Sequence, residues 1–443
     1  MRGNRRRRLG GYAVAAAATA GLLAAAGCGS ASSGSGASGP APAPSGVATS
    51  AGSGGLGAKA VTSYLSYTGG KAGPASKSLA PVVIGYVNQQ GGQTAVGPLA
   101  TNGAQMAVNY INAQLGGVDG HPVQLSTCFI ASAEEEGTTC AQKFLADKQA
   151  DVIAMGGVAI GAQSFYGALG GAKPVIDGVA ATDIDSTQKN AVILFGDSTH
   201  VLGPMGAYAK NVLHAKTAAV VYPQSNADIP GALAIQQGLK AAGVTVKMEG
   251  YPPTTTSLTG VLTAAGAQTA DMVVPYTDSS GCVNIAKALT QMGITDPKKI
   301  VSAPLCLNGQ VAAGLGGDFP KWTYSIASSL FGDTTDKGMP AYTKVTGKYS
   351  TPADAPDPWE IVDFGQLLTV DKILNQVGYA RLSPSKVLAA AKAFKGPQAL
   401  GAPSLDCGQF APAPAVCNDQ AQFFQYAGHN KWVKEAGWLK PVS

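Results

Sequence analysis

Between residues 82 and 302 short, wholly apolar runs alternate with segments of helical period, and this alternation confines the chain to α/β architectures. Val82-Val83-Ile84-Gly85-Tyr86-Val87 is one such run, opening into Asn88-Gln89-Gln90-Gly91-Gly92. A strand covered by helices on both faces reads this way, because neither face tolerates polar alternation. Leu99, Met106, Tyr110 and Ile111 then recur at helical spacing until Leu115-Gly116-Gly117 stops the turn. The unit repeats with a strand over 123–127 and a helix over 133–147, a strand over 151–155 and a helix over 161–169, then strands over 174–179 and 191–195. A second series follows Gly196-Asp197-Ser198: helix 202–213, strand 218–222, helix 229–242, strand 244–249, helix 258–267, strand 272–275, helix 283–292 and strand 300–302. Strand–helix alternation of this kind specifies parallel sheets joined by right-handed crossovers.

The stretch from Leu79 to Ser443, about 365 residues, exceeds what one core usually serves, so two lobes are expected. Two consecutive doubly wound halves place their strand C-termini at facing edges, and ligands of such sheets bind just beyond those ends. Ile361, Phe364, Leu367, Leu368, Ile373, Leu374 and Val377 mark the longest amphipathic helix, read as a core element. Residues 401–416 read as an irregular connection, and 422–426 with 431–435 as a terminal strand pair around His429-Asn430.

The N-terminus has its own signature. Arg2 and Arg5 to Arg8 precede an apolar stretch ending Leu22-Leu23-Ala24-Ala25-Ala26-Gly27-Cys28, the order of a bacterial lipoprotein signal over residues 1–27. The mature chain is then expected to begin at an acylated Cys28, anchored on the outer face of a membrane. Residues 28–78 are read as a flexible tether, since 29–58 are nearly all Gly, Ser, Ala and Pro and bury too little apolar surface to fold. Gly52-Ser53-Gly54-Gly55-Leu56-Gly57 inside it matches a dinucleotide fingerprint without a preceding strand and carries no weight.

Charge and cysteines narrow the function. The chain has 31 basic and 26 acidic residues; removing the five signal arginines leaves 26 against 26. A neutral mature chain argues against nucleic acid as a partner, which needs a basic face. Six cysteines follow Cys28, an even number that reads as disulfides in an exported chain, with fifteen pairings open. Sequence proximity favours Cys128–Cys140, Cys282–Cys306 and Cys407–Cys417. Without a Cys-x-x-Cys, and with four scattered histidines, no metal or other cofactor is expected.

In the order of its elements the chain resembles the type I periplasmic binding proteins, in particular the branched-chain amino-acid receptors of ABC transporters. The resemblance rests on the opening strand with Gly97-Pro98-Leu99-Ala100-Thr101-Asn102-Gly103-Ala104, on Ala180-Ala181-Thr182, on the second-lobe start at 218–222, and on Gly428-His429-Asn430-Lys431-Trp432-Val433. It implies two doubly wound parallel-sheet α/β lobes on a three-crossover hinge, near 196–198, near 324–328 and within 395–420. Lobe 1 would comprise 79–197 with about 327–400, and lobe 2 would comprise 198–326 with about 401–443.

The resemblance further implies that Ala180, Ala181 and Thr182 hold a ligand carboxylate, although Thr182 also fits a helix N-cap. Gln89 and Gln93 at the end of the first strand, Val158 and Ala159 after the third, Asn226, Asp228, Tyr276 and Asp278 in the second lobe, and Cys306 complete the expected ligand set. Two positions depart from amino-acid binders. Gly156-Gly157-Val158-Ala159 stands where they usually offer a serine, and Pro304-Leu305-Cys306 lacks the acid that pairs with a ligand ammonium. A desolvated ammonium needs a counter-charge, so either Asp278 supplies it or the ligand is not an α-amino acid. The expected function is a monomeric, non-enzymatic, lipid-anchored receptor that delivers a small polar solute to an ABC permease. A tethered sensor of the same fold is the alternative, and no Gly-x-Ser-x-Gly, His-Glu-x-x-His or P-loop supports an enzyme.

Overall fold

The run at Val82 becomes strand β1 (Val82–Gln89), buried at all eight positions in the computed structural model. The structure describes residues 60–92, 97–225, 228–349 and 358–442, with the backbone of Ala48–Thr49; the expectations at Cys28, Gln93 and Asn226 lie outside the described residues. β1 pairs in parallel with β2 (Val123–Ile130) and β3 (Ala150–Met155), with Val82 opposite Val123 and Ile84 opposite Val152. β4 (Val175–Asp177) and β5 (Ala191–Ile193) extend the sheet in the order β2-β1-β3-β4-β5, every pair parallel. Its two faces feed separate cores, as strand geometry demands. Ile84, Tyr86, Val152, Ala154 and Ile176 face one core, while Val87, Ile153, Met155 and Val175 face the other with Phe144 and Phe165.

The second series builds β6 (Thr217–Pro223), β7 (Thr245–Tyr251) and β8 (Met272–Pro275) in the order β7-β6-β8, again parallel. A parallel bridge from Val273 to Ile300 leads on to β9 (Val301–Ser302), which pairs in parallel with β10 (Thr323–Ile326). The chain then returns as the antiparallel pair β11 (Ala421–Gly428) and β12 (Lys431–Leu439), β11 lying against β10. His429 and Asn430 both have positive φ, 52° and 57°, the conformation that matches a two-residue hairpin turn to the strand twist.

Several expectations change in the structure. The expected tether is too long, because residues 60–78 are folded. Helix α1 (Tyr64–Thr68) sets Tyr64 edge-on against Phe364, joins the Tyr67 hydroxyl to Thr369 at 2.8 Å and receives the Lys372 ammonium on the Tyr67 carbonyl. The tyrosines supply the apolar surface that residues 29–58 lack. The expected helix over 202–213 breaks into Ser198–Leu202, Pro204–Tyr208 and a π-helical turn Ala209–Leu213, since Pro204 has no N–H to continue it. The segment 401–417, expected with the second lobe, packs on the first sheet: Ile193 donates to the Ala415 carbonyl at 2.8 Å and Cys417 donates back to Ile193 at 3.0 Å. The three disulfides are Cys128–Cys140, Cys282–Cys306 and Cys407–Cys417, each closing a loop whose constraint on the unfolded chain is worth roughly 3 kcal/mol.

The helix expected to be amphipathic is not. Helix α8 (Pro358–Val377) is buried along most of its length, including Glu360, Asp363, Gln366, Thr369 and Asp371. It lies between the first sheet and α2 (Pro98–Gln114), and only its ends and the turn at Lys372, Asn375 and Gln376 reach water. The approach to α2 is close: a Cβ on Gly103 would stand 2.3 Å from the Glu360 carbonyl oxygen. Among the described residues no helix is long and apolar enough to cross a membrane. Gly103→Ala is expected to push the two helices apart and destabilise the fold by about 2 kcal/mol, read as a lower midpoint in urea unfolding.

Candidate functional site

The strand C-termini of the first sheet open at Gln90, at 156–161 and at 178–182, the positions where a doubly wound sheet presents ligand groups. Gln89 is buried at the end of β1, and its Oε1 accepts the Ala159 and Ile160 N–H groups at 2.9 and 3.1 Å. It therefore shapes the loop that carries Val158, which is buried, and Ala159, which is exposed. Helix α3 (Glu134–Ala146) begins with three acids that serve as more than a solvated cluster. Glu134 accepts the Gly161 and Ser164 amides, both at 2.8 Å, at the start of α4 (Ala162–Leu169). Burial alone would raise its pKa, but the bonds from Ser164 and Gly161 outweigh that and leave it lowered. Glu136 accepts the amides of Ala131, Ser132 and Ala133, with Ala131 at 2.6 Å.

Thr182 takes the helix N-cap position, at the start of α5 (Asp183–Thr187). The Asp185 carboxylate accepts both the Thr182 N–H at 2.9 Å and its hydroxyl at 2.8 Å, and it also engages the Ala181 N–H. The Ala180 N–H is taken by the Gly196 carbonyl at 3.3 Å. Ala180 is buried and Ala181 exposed.

Beneath these loops lies a group of buried acids that sequence reasoning missed. Asp177 ends β4 at 1% exposure, and the groups acting on it electrostatically are two further carboxyls, Asp185 and Asp363. Burial first, then these neighbours, hold its pKa far above the usual carboxylate range. Asp363 receives the Tyr86 hydroxyl at 2.7 Å and is likewise raised by burial. Burial also pushes Asp185 up, to about 6, against the opposing bonds from Thr182 and Tyr166.

The second sheet presents its ends through β6, β7 and β8. Asp228 precedes α6 (Ile229–Ala241) as its N-cap residue, yet its carboxylate accepts the Ser225 hydroxyl at 2.5 Å and no helix amide. Burial raises its pKa, and the Asp278 charge adds to this. Asp278 is exposed and caps α7 (Ser279–Gln291), accepting the Gly281 N–H at 2.8 Å and the Ser280 hydroxyl at 2.9 Å. That cap is why α7 starts earlier than the apolar spacing indicates. Tyr276 is buried against α6, where a Cβ on Gly231 would lie 2.2 Å from the phenol oxygen. Its pKa is raised by burial, then by Asp228 and by Asp183. Asp183 belongs to the loops of the first sheet. Tyr251, ending β7, shares a 2.7 Å hydrogen bond with Thr277 and is pushed up to about 12 by burial against that bond, with Asp278 and Asp228 adding to the rise. Cys306 is fully buried in its bond to Cys282 and turns away from this surface, leaving Leu305 exposed beside it. Of the residues missed, Asp183 adjoins the predicted Thr182, and Tyr251 was legible as the last apolar position of its strand. Among the described residues no group of three His, Cys, Asp or Glu is arranged to hold a metal.

Two α/β units with parallel sheets and ligand-type loops at facing strand ends define a type I periplasmic binding fold. The periplasmic binding protein family matches residues 81–412, and the chain belongs to it. Solved structures agree. An ABC transporter substrate-binding protein from Sphaerobacter thermophilus superposes with a TM-score of 0.68 at 14% identity, over 82% of this chain and 99% of its own. A solute-binding protein of an ABC transporter from R. palustris, in complex with 4-hydroxybenzoate, gives 0.63 at 16% identity, over 82% and 98%. A branched-chain amino acid transporter substrate-binding protein from Streptococcus pneumoniae, in complex with isoleucine, gives 0.61 at 18% identity, over 80% and 99%. No curated protein sequence matches the chain. The family implies an extracytoplasmic location.

The buried acids make a pH-dependent prediction. A carboxyl whose folded pKa is raised adds stability in full below its unfolded pKa of about 3.9, and that contribution is lost as pH rises through the folded value. Asp177→Asn keeps the shape and removes the ionisation. It is expected to raise Tm relative to the parent at pH 8 and to leave it unchanged at pH 4, measured by thermal unfolding.

Proposed function

We propose that this chain is the solute receptor of an ABC importer, capturing a small polar solute between two lobes and presenting it to a membrane permease. What supports this is the match to the periplasmic binding protein family over residues 81–412 together with two parallel sheets whose strand C-termini open into loops. The lobes are taken as 79–197 with 327–400 and 198–326 with the C-terminal pair, and the third crossing is set at 418–420, past the segment that packs on the first sheet. Three crossings side by side permit rotation about one axis, the hinge closure attributed to such two-lobed receptors. Acylation at Cys28 would hold the receptor at the outer membrane face next to its permease, with residues up to about 59 as the tether. Neither capture nor delivery requires bond chemistry.

Two measurements test this. Small-angle scattering of the mature chain is expected to show a smaller radius of gyration with any solute that raises its Tm; an unchanged profile at saturation argues against closure. A solute at 100 times its dissociation constant adds about 2.7 kcal/mol to stability, so thermal shift identifies the one to use. For the anchor, Cys28→Ala is expected to abolish acyl labelling and to move the protein from the membrane pellet to the supernatant.

A further inference from the structure

The strand ends spend their charged groups within the protein and leave neutral oxygens without a partner. The segments that follow the strands of both sheets are 90–97, 131–134, 156–161, 178–183, 194–197, 224–228, 252–258, 276–278 and 303–308, and none contains Lys, Arg or His. The amides that could hold a carboxylate in the first sheet's loops are occupied. Gln89 Oε1 accepts Ala159 and Ile160, at 2.9 and 3.1 Å, and Glu134 accepts Gly161 and Ser164, both at 2.8 Å. Asp185 accepts Thr182 at 2.9 Å, and the Gly196 carbonyl accepts Ala180 at 3.3 Å. A ligand carboxylate would lose its water, find no cation and have to displace an acceptor already in place.

An ammonium meets acids that are likewise spent: Asp197 on His200 and Ser186, Asp228 on Ser225, and Asp278 on Gly281 and Ser280. Asp183 stands exposed in water. What remains is a pair of amide oxygens. Gln366 donates its Nε2 to the Met155 and Ile176 carbonyls at 2.8 and 2.7 Å, which fixes the amide and turns Oε1 the other way. Asn88 donates its Nδ2 to the Gly97 carbonyl at 3.1 Å and to Thr101 at 3.0 Å, which fixes its Oδ1 likewise. Both side chains are fully buried, and neither oxygen has a partner among the described residues. Each lies against the first residue of a ligand loop: a Cβ on Gly156 would stand 2.9 Å from Asn88 Oδ1, and one on Gly178 3.3 Å from Gln366 Oε1. The two glycines are neighbours, since the Gly178 N–H donates to the Met155 carbonyl at 3.1 Å. Glycine at both positions keeps a side chain off these oxygens, which as buried acceptors call for an N–H or O–H donor.

Resting on the receptor reading, we infer that the solute is an uncharged molecule whose amide N–H or hydroxyl is received by the Asn88 and Gln366 oxygens, and that Gln89 keeps carboxylates out. Gln89 does so by seating its own oxygen on two convergent loop amides, a place a carboxylate oxygen would otherwise take. A site that offers fixed acceptors to a neutral donor rejects an analogue that brings a charge or lacks the donor, because the buried groups are then left unpaired.

The test is isothermal titration calorimetry of the mature chain with two matched series, benzamide, benzyl alcohol, benzoate and benzylamine, and isovaleramide, isoamyl alcohol, isovalerate and isoamylamine, with scattering on each mixture. The expected result is binding of an amide or alcohol with compaction, and binding of the carboxylate and amine of the same skeleton at least tenfold weaker. Gln89→Met keeps the volume and frees the two amides, so it is expected to tighten carboxylate binding at least tenfold. Gln89→Glu, which keeps an oxygen on both amides, is expected to leave carboxylates excluded. Asn88→Ala is expected to weaken the uncharged ligand at least tenfold; melting curves and circular dichroism verify that each variant is folded, and the series on the parent stands without them. A carboxylate or amine that binds the parent as tightly as its uncharged partner overturns the uncharged assignment and leaves the receptor reading standing. Carboxylate binding unchanged in Gln89→Met overturns the role of Gln89, and uncharged binding that survives Asn88→Ala overturns the placement. Failure of every probe to bind or compact the chain counts against both the assignment and the receptor reading.

Discussion

Everything at the strand ends depends on the burial of α8 against the first sheet. The Gln366 side-chain amide donates to the Met155 carbonyl at 2.8 Å and to the Ile176 carbonyl at 2.7 Å, at the C-terminal ends of β3 and β4. One helix residue therefore sets the spacing at which two neighbouring strands open into the ligand loops. A turn earlier, Asp363 takes the Tyr86 hydroxyl from β1, so three strands report to the same helix. A polar group buried without a partner costs of order 1–3 kcal/mol, and this fixes both contacts more tightly than apolar packing alone. The approach of α2, which Gly103 permits, closes the far side and keeps water from the network.

The same economy governs the crossings between the lobes. Gly196 has φ 94° and would, with a Cβ, stand 2.8 Å from the Asn418 carbonyl oxygen, so only glycine lets the first and third crossings touch there. Asn418 donates to the Phe195 and Gln420 carbonyls at 3.0 Å each, and Gln422 donates to the Ser328 carbonyl at 2.8 Å, joining the third crossing to the first two. Side chains that bridge backbones can keep their bonds while flanking dihedrals rotate by small amounts. If these crossings act as the hinge proposed above, they would move together, because no crossing could shift without stretching a bond to another.

The architecture was legible because burial on both faces leaves a strand no choice but a continuous apolar run: Val82 to Val87, Ala218 to Tyr222 and Met272 to Pro275 all appear where that rule puts them. Cysteine proximity likewise matched the three pairs. What escaped was long-range. Nothing near Ile361 in sequence shows that α8 is covered by α2 on one side and by a sheet on the other, so its acids read as an exposed face. The tether was extended too far because composition averages over Tyr64 and Tyr67, which act only through Phe364 and Thr369, some 300 residues away. Gln89 and Thr182 lie at the strand ends as expected, but each spends its hydrogen bonds on the protein.

The loop amides at the strand ends of the first sheet are satisfied from within the chain. Loop amides at strand ends and helix starts are anion sites by geometry, and here Gln89, Glu134 and Asp185 supply the acceptors themselves. An internal carboxylate serves that purpose at no translational entropy cost, so a free ligand offering the same group competes poorly with it. The loops are rigidified in exchange, since each borrowed acceptor ties one loop to another: Glu134 joins α3 to α4, and Asp185 holds the turn at Ala181 and Thr182. The acids of the second sheet's loops are engaged in the same way, Asp228 by the Ser225 hydroxyl and Asp278 by the Gly281 N–H and the Ser280 hydroxyl.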